Sequence, residues 1–368
     1  MSRLRRFVNL VTLERKRDMY SLRRIDLWQH DFFYPATTPP PPPKAQRKLP
    51  LAADPKEMEQ FETPPSCFNF QPKPCPEALD YTWKMHNFGV SENKIICVDN
   101  FGVSFLYNTD EPCVTTMPAL HSPKRHPVSL SVFDPEDDDD GGGTGSLYVI
   151  EAVPRPRRRE DHQGQFEAFD YGMSVSRVEK SWRRHSLPPP PFVLEPGYEH
   201  RSAGVISSYA VLGGGSHLCV SAAGFGTYCF DTARREWGRA GDWMLPIAGK
   251  AEYVPEIGLW FGPSQKENNY LPCVCDLSSA LDGDEPELRC KWDNDCFPAE
   301  WIPAIMSHMV NLGAGRFFTV GYNETVVPNA YHWGEPPRHK CFSVLGGLEL
   351  KPGRTCSDDE PQKEMHQR

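Results

Sequence analysis

The chain has no apolar run near the ~18 residues that a membrane-spanning helix needs, and nothing in it reads as a secretory leader. The expectation is a cytoplasmic or nuclear protein with reduced thiols and no membrane partner. Basic charge is also lacking. The net charge is −9 over 368 residues, 24% of them charged, which offers no positive field for nucleic acid. There are twelve cysteines but no Cys-x-x-Cys pair. Cys97, Cys219, Cys229, Cys273, Cys275 and Cys341 lie in apolar, strand-like runs and read as small buried hydrophobes. Cys273 and Cys275 share one face of such a run, where a metal or disulfide role is the alternative. The sequon Asn323-Glu324-Thr325 is inert without secretion.

Catalytic signatures are missing too. The sequence contains no Gly-x-Ser-x-Gly, Walker loop, His-Glu-x-x-His or dinucleotide fingerprint. Gly213-Gly-Gly-Ser216 has neither a lysine nor a following helix to hold phosphate. His121 and His126 share a proline-flanked loop, a poor metal pair. The expectation is a chain with no catalytic residues, no metal and no cofactor.

Proline is abundant, at 37 residues beside 28 glycines. That argues against long helices and for many short strands joined by turns. Gly224–Pro246 shows the pattern most clearly. Thr227, Cys229 and Asp231 alternate with Tyr228, Phe230 and Thr232, so the two sets face opposite sides of a pleated sheet. Asp231 starts a turn by accepting amide hydrogens two residues on, and the chain returns through Trp237. Weaker copies recur. Asn108-Thr109 and Met117-Pro118 match Asp231-Thr232 and Leu245-Pro246. Asp170 and Trp182 repeat the turn acid and the returning aromatic, as do Asp276 and Trp292. Four short strands per ~40–50 residues is a propeller signature.

The fold expected is therefore an all-β β-propeller of about six blades, five to seven fitting the period. Two N-terminal strands, Phe7–Val11 and Tyr20–Leu27, lack a unit of their own. They are expected to pair with the last strands, so that N- and C-terminal strands close one joint blade. Arg3–Arg6 before them also resembles a short targeting segment, but Glu14 and Asp18 follow quickly, which favours a strand with a basic lead-in. Residues 1–350 form one domain in this reading. Disordered insertions fall at about 35–66, holding Pro39–Pro43, and at about 134–164. The tail 351–368 is disordered as well.

The second insertion carries Asp137, Asp138, Asp139 and Asp140, then Arg157 and Arg158 within an arginine cluster. The acids lack the alternation and closing glutamate of a calcium loop. They read as a mobile surface loop, and the arginines as a solvated loop facing the acids, with a nuclear-import or phosphate patch the alternative; all six residues are candidate partner contacts, the acids for a basic partner surface. Arg183-Arg-His-Ser186 is a basic lead-in to a candidate phosphosite at Ser186; an ordinary exposed strand is the alternative.

Several stretches together resemble a known family. They are Arg6–Val11 with Tyr20–Asp26, Thr116–Leu120, Trp182–Phe192, Gly226–Gly249, Ala251–Gly262 and Val310–Phe317. The chain resembles a set of uncharacterised cereal-grass proteins grouped under a domain of unknown function with kelch-like repeats. It is similar in layout to the kelch propellers attached to plant F-box proteins. The resemblance implies the fold and a plant origin, and carries over no catalytic residue. Paired glycines of an ordinary kelch repeat are mostly missing, and residues 1–60 lack the leucine-rich helical pattern of an F-box. Two functions remain open. One is a monomeric interaction module that binds a protein partner through its loops. The other is a sugar-oxidising or glycan-cleaving propeller enzyme.

Overall fold

A computed structural model describes residues 4–33 (except 15 and 31), 60–71, 83–133 (except 125), 145–154, 164–173, 179–195, 198, 204–265, 270–291 and 302–350 (except 328–337). The chain is all-β, with short 3₁₀ turns such as Pro191–Leu194 as the helical elements among the described residues. Its strands are antiparallel meanders in chain order. The first holds β1 (Phe7–Glu14), β2 (Met19–Asp26) and β3 (Phe68–Phe70). The second holds β4 (Met85–Gly89), β5 (Lys94–Asp99), β6 (Ser104–Asn108) and β7 (Cys113–Thr116). The third holds β8 (Pro127–Phe133), β9 (Gly145–Glu151), β10 (Phe166–Met173) and β11 (Lys180–Leu187). The fourth holds β12 (Ile206–Leu212), β13 (His217–Ala222), β14 (Gly226–Asp231) and β15 (Glu236–Gly241). The fifth holds β16 (Gly249–Val254), β17 (Leu259–Pro263), β18 (Pro272–Asp276) and β19 (Glu287–Lys291). The sixth holds β20 (Ile302–Gly313), β21 (Arg316–Val327) and β22 (Arg338–Glu349). A parallel pairing of β12 with β16 joins the fourth and fifth into one eight-stranded sheet.

Burial follows strand position. β12 alternates, with Ile206, Ser208, Ala210 and Leu212 buried. β13 and β14 are buried on both faces, because a neighbouring sheet covers each side. The fourth strands are largely exposed, β7 wholly so.

The cores lie between meanders. Leu22 and Phe70 of the first pack with Ile95, Cys97 and Tyr107 of the second. Phe88, Ile96 and Val98 meet Leu147, Val149 and Phe169 of the third. Leu130, Ile150 and Phe166 meet Leu218, Tyr228 and Phe230 of the fourth. Leu212, Cys219 and Cys229 meet Trp260, Cys273 and Cys275 of the fifth. Val254, Phe261 and Val274 meet Phe317 and Leu348 of the sixth. Finally Val8 and Ile25 of the first meet Leu312, Phe318 and Val320 of the sixth.

Two expectations change here. β1 does not pair with a strand beyond residue 300. It pairs with β2, which pairs with β3, so the N-terminal strands make their own sheet. The two chain ends meet instead through the Val8–Phe318 cluster and one backbone bond, Arg5 N–H to Leu312 O at 2.8 Å. β3 was hidden because three residues are too few to show a period. The thiols also differ: Cys219 and Cys229 form a disulfide. Antiparallel register places them directly opposite each other on β13 and β14, a relation that sequence spacing does not reveal.

Candidate functional site

The ends of the sheets are fixed by their turns. At one end, called upper here, the β4–β5 and β6–β7 turns meet: Thr109 donates through N–H at 2.8 Å and Oγ1 at 3.1 Å to Asn93 O. Thr232 repeats the arrangement toward Ser216 O, at 3.0 Å from each atom. Thus the Asn108-Thr109 and Asp231-Thr232 copies match in geometry as in sequence. Gly215 in the β12–β13 turn lies against Val132 near the end of β8. A Cβ there would come within 2.4 Å of Val132 Cγ1 at an already left-handed φ of +104°, so glycine is required. The lower end carries the 117–126 connection. Leu120 N–H bonds to Gly102 O at 2.8 Å, and Lys124 Nζ to Gly164 O at 2.8 Å.

Ion pairs gather at the upper end. Arg6 lies 2.6 Å from Asp26, and Arg24 lies 2.6 Å from Asp110. Glu92 Oε1 accepts the backbone N–H of both Arg6 and Phe7 at 2.7 Å. Arg24 stacks 3.9 Å over Phe7, and Arg6 lies 4.8 Å over the ring of Trp28, a residue that is 68% exposed. Hydrogen bonding from Arg6 holds the Asp26 carboxyl below its ordinary range, and Arg24 does the same for Asp110.

Between the third and fourth meanders, Asp170 Oδ1 accepts from Ser146 Oγ at 2.6 Å, while Oδ2 lies 3.0 Å from His185 Nε2 and 3.9 Å from Arg235. Serine, histidine and aspartate thus meet, but in the wrong order for nucleophilic catalysis. The acid stands between the other two, so the imidazole is not placed to take the serine proton. Among the described residues, no group of three or more His, Cys, Asp or Glu is placed to hold a metal, and no helix is long and apolar enough to cross a membrane.

The turn acids behave unequally. Asp231 Oδ1 accepts from Ala233 N–H at 2.9 Å and Arg234 N–H at 2.8 Å, which holds its carboxyl below the usual range. Asp276 accepts from Ser278 Oγ at 2.6 Å and from Ser278 N–H at 3.0 Å, with the same result. Asp170 is not a turn residue. It sits inside β10, opposite Arg183, and the strand runs three residues further to Met173. Trp237 is half-buried between meanders, 5.4 Å from Phe166 and 5.1 Å from Phe230, with its Nε1–H donated to Pro188 O at 2.8 Å. Trp182 is half-buried against Tyr171 and Phe133. Ser186 is exposed on β11.

Trp292, Asp137–Asp140, Arg157 and Arg158 lie outside the described residues. Their insertions have described anchors, however. The 134–144 insertion leaves β8 at Phe133 and re-enters β9 at Gly145, the upper end. The 155–163 insertion leaves Pro154 and returns at Gly164, the lower end. The length of β9, about 20 Å at ~3.3 Å per residue, separates the anchors. β9 is a through-strand, and its two connections leave opposite ends; the expected facing of the arginines and the acids lies outside the described residues. The 34–59 insertion springs from the upper end as well, since its flanks Phe32 and Phe61 stack at 5.7 Å beside Phe318.

Sequence reading missed a buried ion pair at the lower end. Lys124 Nζ lies 2.6 Å from Glu167 Oε1, both fully enclosed. Glu167 also accepts from His121 N–H at 2.7 Å and Ser122 N–H at 3.3 Å. The available signal was an acid set between Phe166 and Phe169 on the apolar first half of β10.

A family model described as a protein of unknown function (DUF1668) matches residues 5–367. The chain belongs to the DUF1668 family. Comparison with curated proteins finds no match. Among solved structures, the DUF1668 chain resembles a structural genomics protein of unknown function from Bacteroides thetaiotaomicron. That likeness has 13% identity and a TM-score of 0.34, and it covers 55% of this chain and 42% of that one. The DUF1668 chain thus spans less than half the length of the Bacteroides protein. It also resembles the β-propeller domain of Cps50 (Swd1) from Myceliophteria thermophila, at 9% identity, TM-score 0.35, covering 86% of this chain and 82% of that one. Likenesses this distant fix nothing about the DUF1668 chain beyond what its own sheets show.

Proposed function

We propose that this chain is a closed, kelch-like β-propeller of six blades, each meander being one blade, and that it works as a protein-interaction module. The succession of inter-meander cores, with the sixth returning to the first, supports the ring. The observation that carries the function is the shared origin of two insertions. Anchors Phe33 and Gln60, and anchors Phe133 and Gly145, both lie at the end where half-buried ion pairs and the exposed Trp28 gather. Variable charged loops on a rigid scaffold are where binding usually resides. The run Asp137–Asp140 in one of them suits a basic surface on the partner. In this reading the module is a plant protein of the cytoplasm or nucleus, acts as a monomer, and needs no metal or cofactor.

The test compares capture by the intact chain with capture by a chain lacking Asp137–Asp140, using plant extract and then the purified captured protein. The reading expects binding that weakens on deletion while the melting temperature stays unchanged. Binding that ignores the deletion overturns the role of the acidic loop. Turnover in a sugar-substrate screen, abolished by a single acid or histidine substitution, would install the propeller-enzyme reading instead.

A further inference from the structure

We propose that Ser186 is a phosphorylation site for kinases directed by basic residues, and that its phosphate loosens the connection between the second and third meanders. The segment Arg183-Arg184-His185-Ser186-Leu187 places two arginines three and two residues before the serine. A kinase with acidic recognition pockets reads such residues from an extended peptide. β11 is already extended, and among the described residues it is the outermost strand of its sheet, paired only with β10. Arg183, Arg184 and Ser186 are all exposed. Leu187 is the one residue of β11 that is buried, so engagement requires only the end of an edge strand to lift.

The position of Ser186 gives the phosphate something to act on. Ser186 stands directly opposite Glu167 in the β10–β11 register, and Arg184 lies two residues along on the same face. Arg184 holds the connection 117–126 by donating to Ala119 O at 2.9 Å, and its Nε lies 3.9 Å from Glu167. In the transfer, Ser186 Oγ takes the γ-phosphoryl group of Mg·ATP. The bond to the β-phosphate oxygen breaks, ADP leaves, and the hydroxyl proton passes to the kinase base. The product carries about two negative charges opposite Glu167. Like charges facing across a ladder repel, and Arg184, exposed two residues along on the same face, turns from Ala119 O toward the phosphate.

The experiment incubates the folded, full-length chain with Mg·ATP and the catalytic subunit of a cyclic-nucleotide-dependent, basophilic kinase. Intact mass and peptide sequencing follow. The expected result is one phosphoryl group, at Ser186, absent from Ser186→Ala. Arg183→Ala should slow incorporation by about tenfold, the loss of one charge-assisted contact to the kinase. Tryptic cleavage after Lys124 should be faster in the modified chain. No incorporation, incorporation that persists in Ser186→Ala, or incorporation only after heat unfolding overturns the site. Incorporation at Ser186 with unchanged cleavage at Lys124 overturns the loosening. Circular dichroism of Ser186→Ala, expected to match the parent, separates lost acceptor from lost fold.

Discussion

Lys124 and Glu167 form an ion pair at 2.6 Å with both side chains excluded from solvent, one in the connection 117–126 and the other on β10. Burial pulls the Lys124 amine below its ordinary range, and Glu167 opposes that pull. Removing Lys124 leaves the buried Glu167 carboxylate facing only the more distant, partly exposed Arg184 at 3.9 Å, so Lys124→Met should cost about 3 kcal/mol in urea unfolding. Lys124→Met with Glu167→Gln should recover part of that, since the amide still faces His121 and Ser122 without a net charge. A single variant as stable as the parent would show that the pair does not hold the connection in place.

Trp237 makes a smaller claim on stability than a fully buried tryptophan. It touches Phe166 and Phe230 from two meanders, yet it is only half-buried. Trp237→Ala should cost about 2–3 kcal/mol, below the 3–5 of an enclosed aromatic. Trp237→Phe keeps the ring contacts and gives up the bond to Pro188 O, a loss of about 1 kcal/mol. Denaturant midpoints measure both, and an unchanged midpoint for the alanine variant would remove Trp237 from the core.

What was legible in the sequence was local. The Asp231 turn, its Asn108 copy, the alternating strand that ends in Asp231 and the return through Trp237 stand where alternation and turn residues put them. Register and distant pairing were not legible. Cys219 meets Cys229 because of how β13 lies on β14. Glu167 finds Lys124 across 43 residues of chain. β4 was missed because Met85-His-Asn-Phe-Gly89 mixes polar and apolar residues on both faces. Asp170 looked like a turn acid because Phe169-Asp170 copies Phe230-Asp231, yet β10 simply continues.

The Cys219–Cys229 disulfide links two strands across 10 residues of sequence. Closing so short a loop in the unfolded chain stabilises by about 2–3 kcal/mol in the chain-entropy account. Dithiothreitol should lower the melting temperature of the parent and leave Cys219→Ser/Cys229→Ser unaffected. Alkylation with mass analysis should find the pair blocked before reduction. Equal melting with and without reductant would show that the thiols are free in solution.

His86 on β4 sets an acid limit. Burial pushes its imidazole down to about 4 from 6.5, helped by His126 and Lys84 and opposed by Asp99. Its Nε2 is buried with no hydrogen-bond partner among the described residues. The folded chain therefore prefers the neutral ring. Between pH 6.5 and about 4 the unfolded chain binds the extra proton, so the stability tied to His86 is present above 6.5 and lost as pH falls through that window. At about 1.4 kcal/mol per pH unit the ceiling is about 3 kcal/mol, and partial exposure reduces it to about 1–2. His86→Gln should flatten the stability–pH curve between 6.5 and 4; a curve unchanged by the substitution would assign the acid loss to other groups.

Arg235 closes the β14–β15 turn with a left-handed backbone, φ 59°, and its N–H bonds to Asp231 O at 2.8 Å. Such a position after a tight turn favours glycine, and a side chain there costs about 1 kcal/mol. The side chain returns little of that, since its 3.9 Å approach to Asp170 is half-exposed. For folding alone, Arg235→Gly should raise stability by up to about 1 kcal/mol. Yet Arg235 stands at the upper end, beside the anchors of the 134–144 insertion, where the proposed partner docks. If the upper end is the docking surface for a basic partner, Arg235→Gly removes a like charge from it and should raise the melting temperature and strengthen capture together. A variant more stable than the parent and equal in capture would move the docking surface away from this turn, whereas a variant destabilised by more than about 1 kcal/mol would make the Arg235–Asp170 contact part of the scaffold.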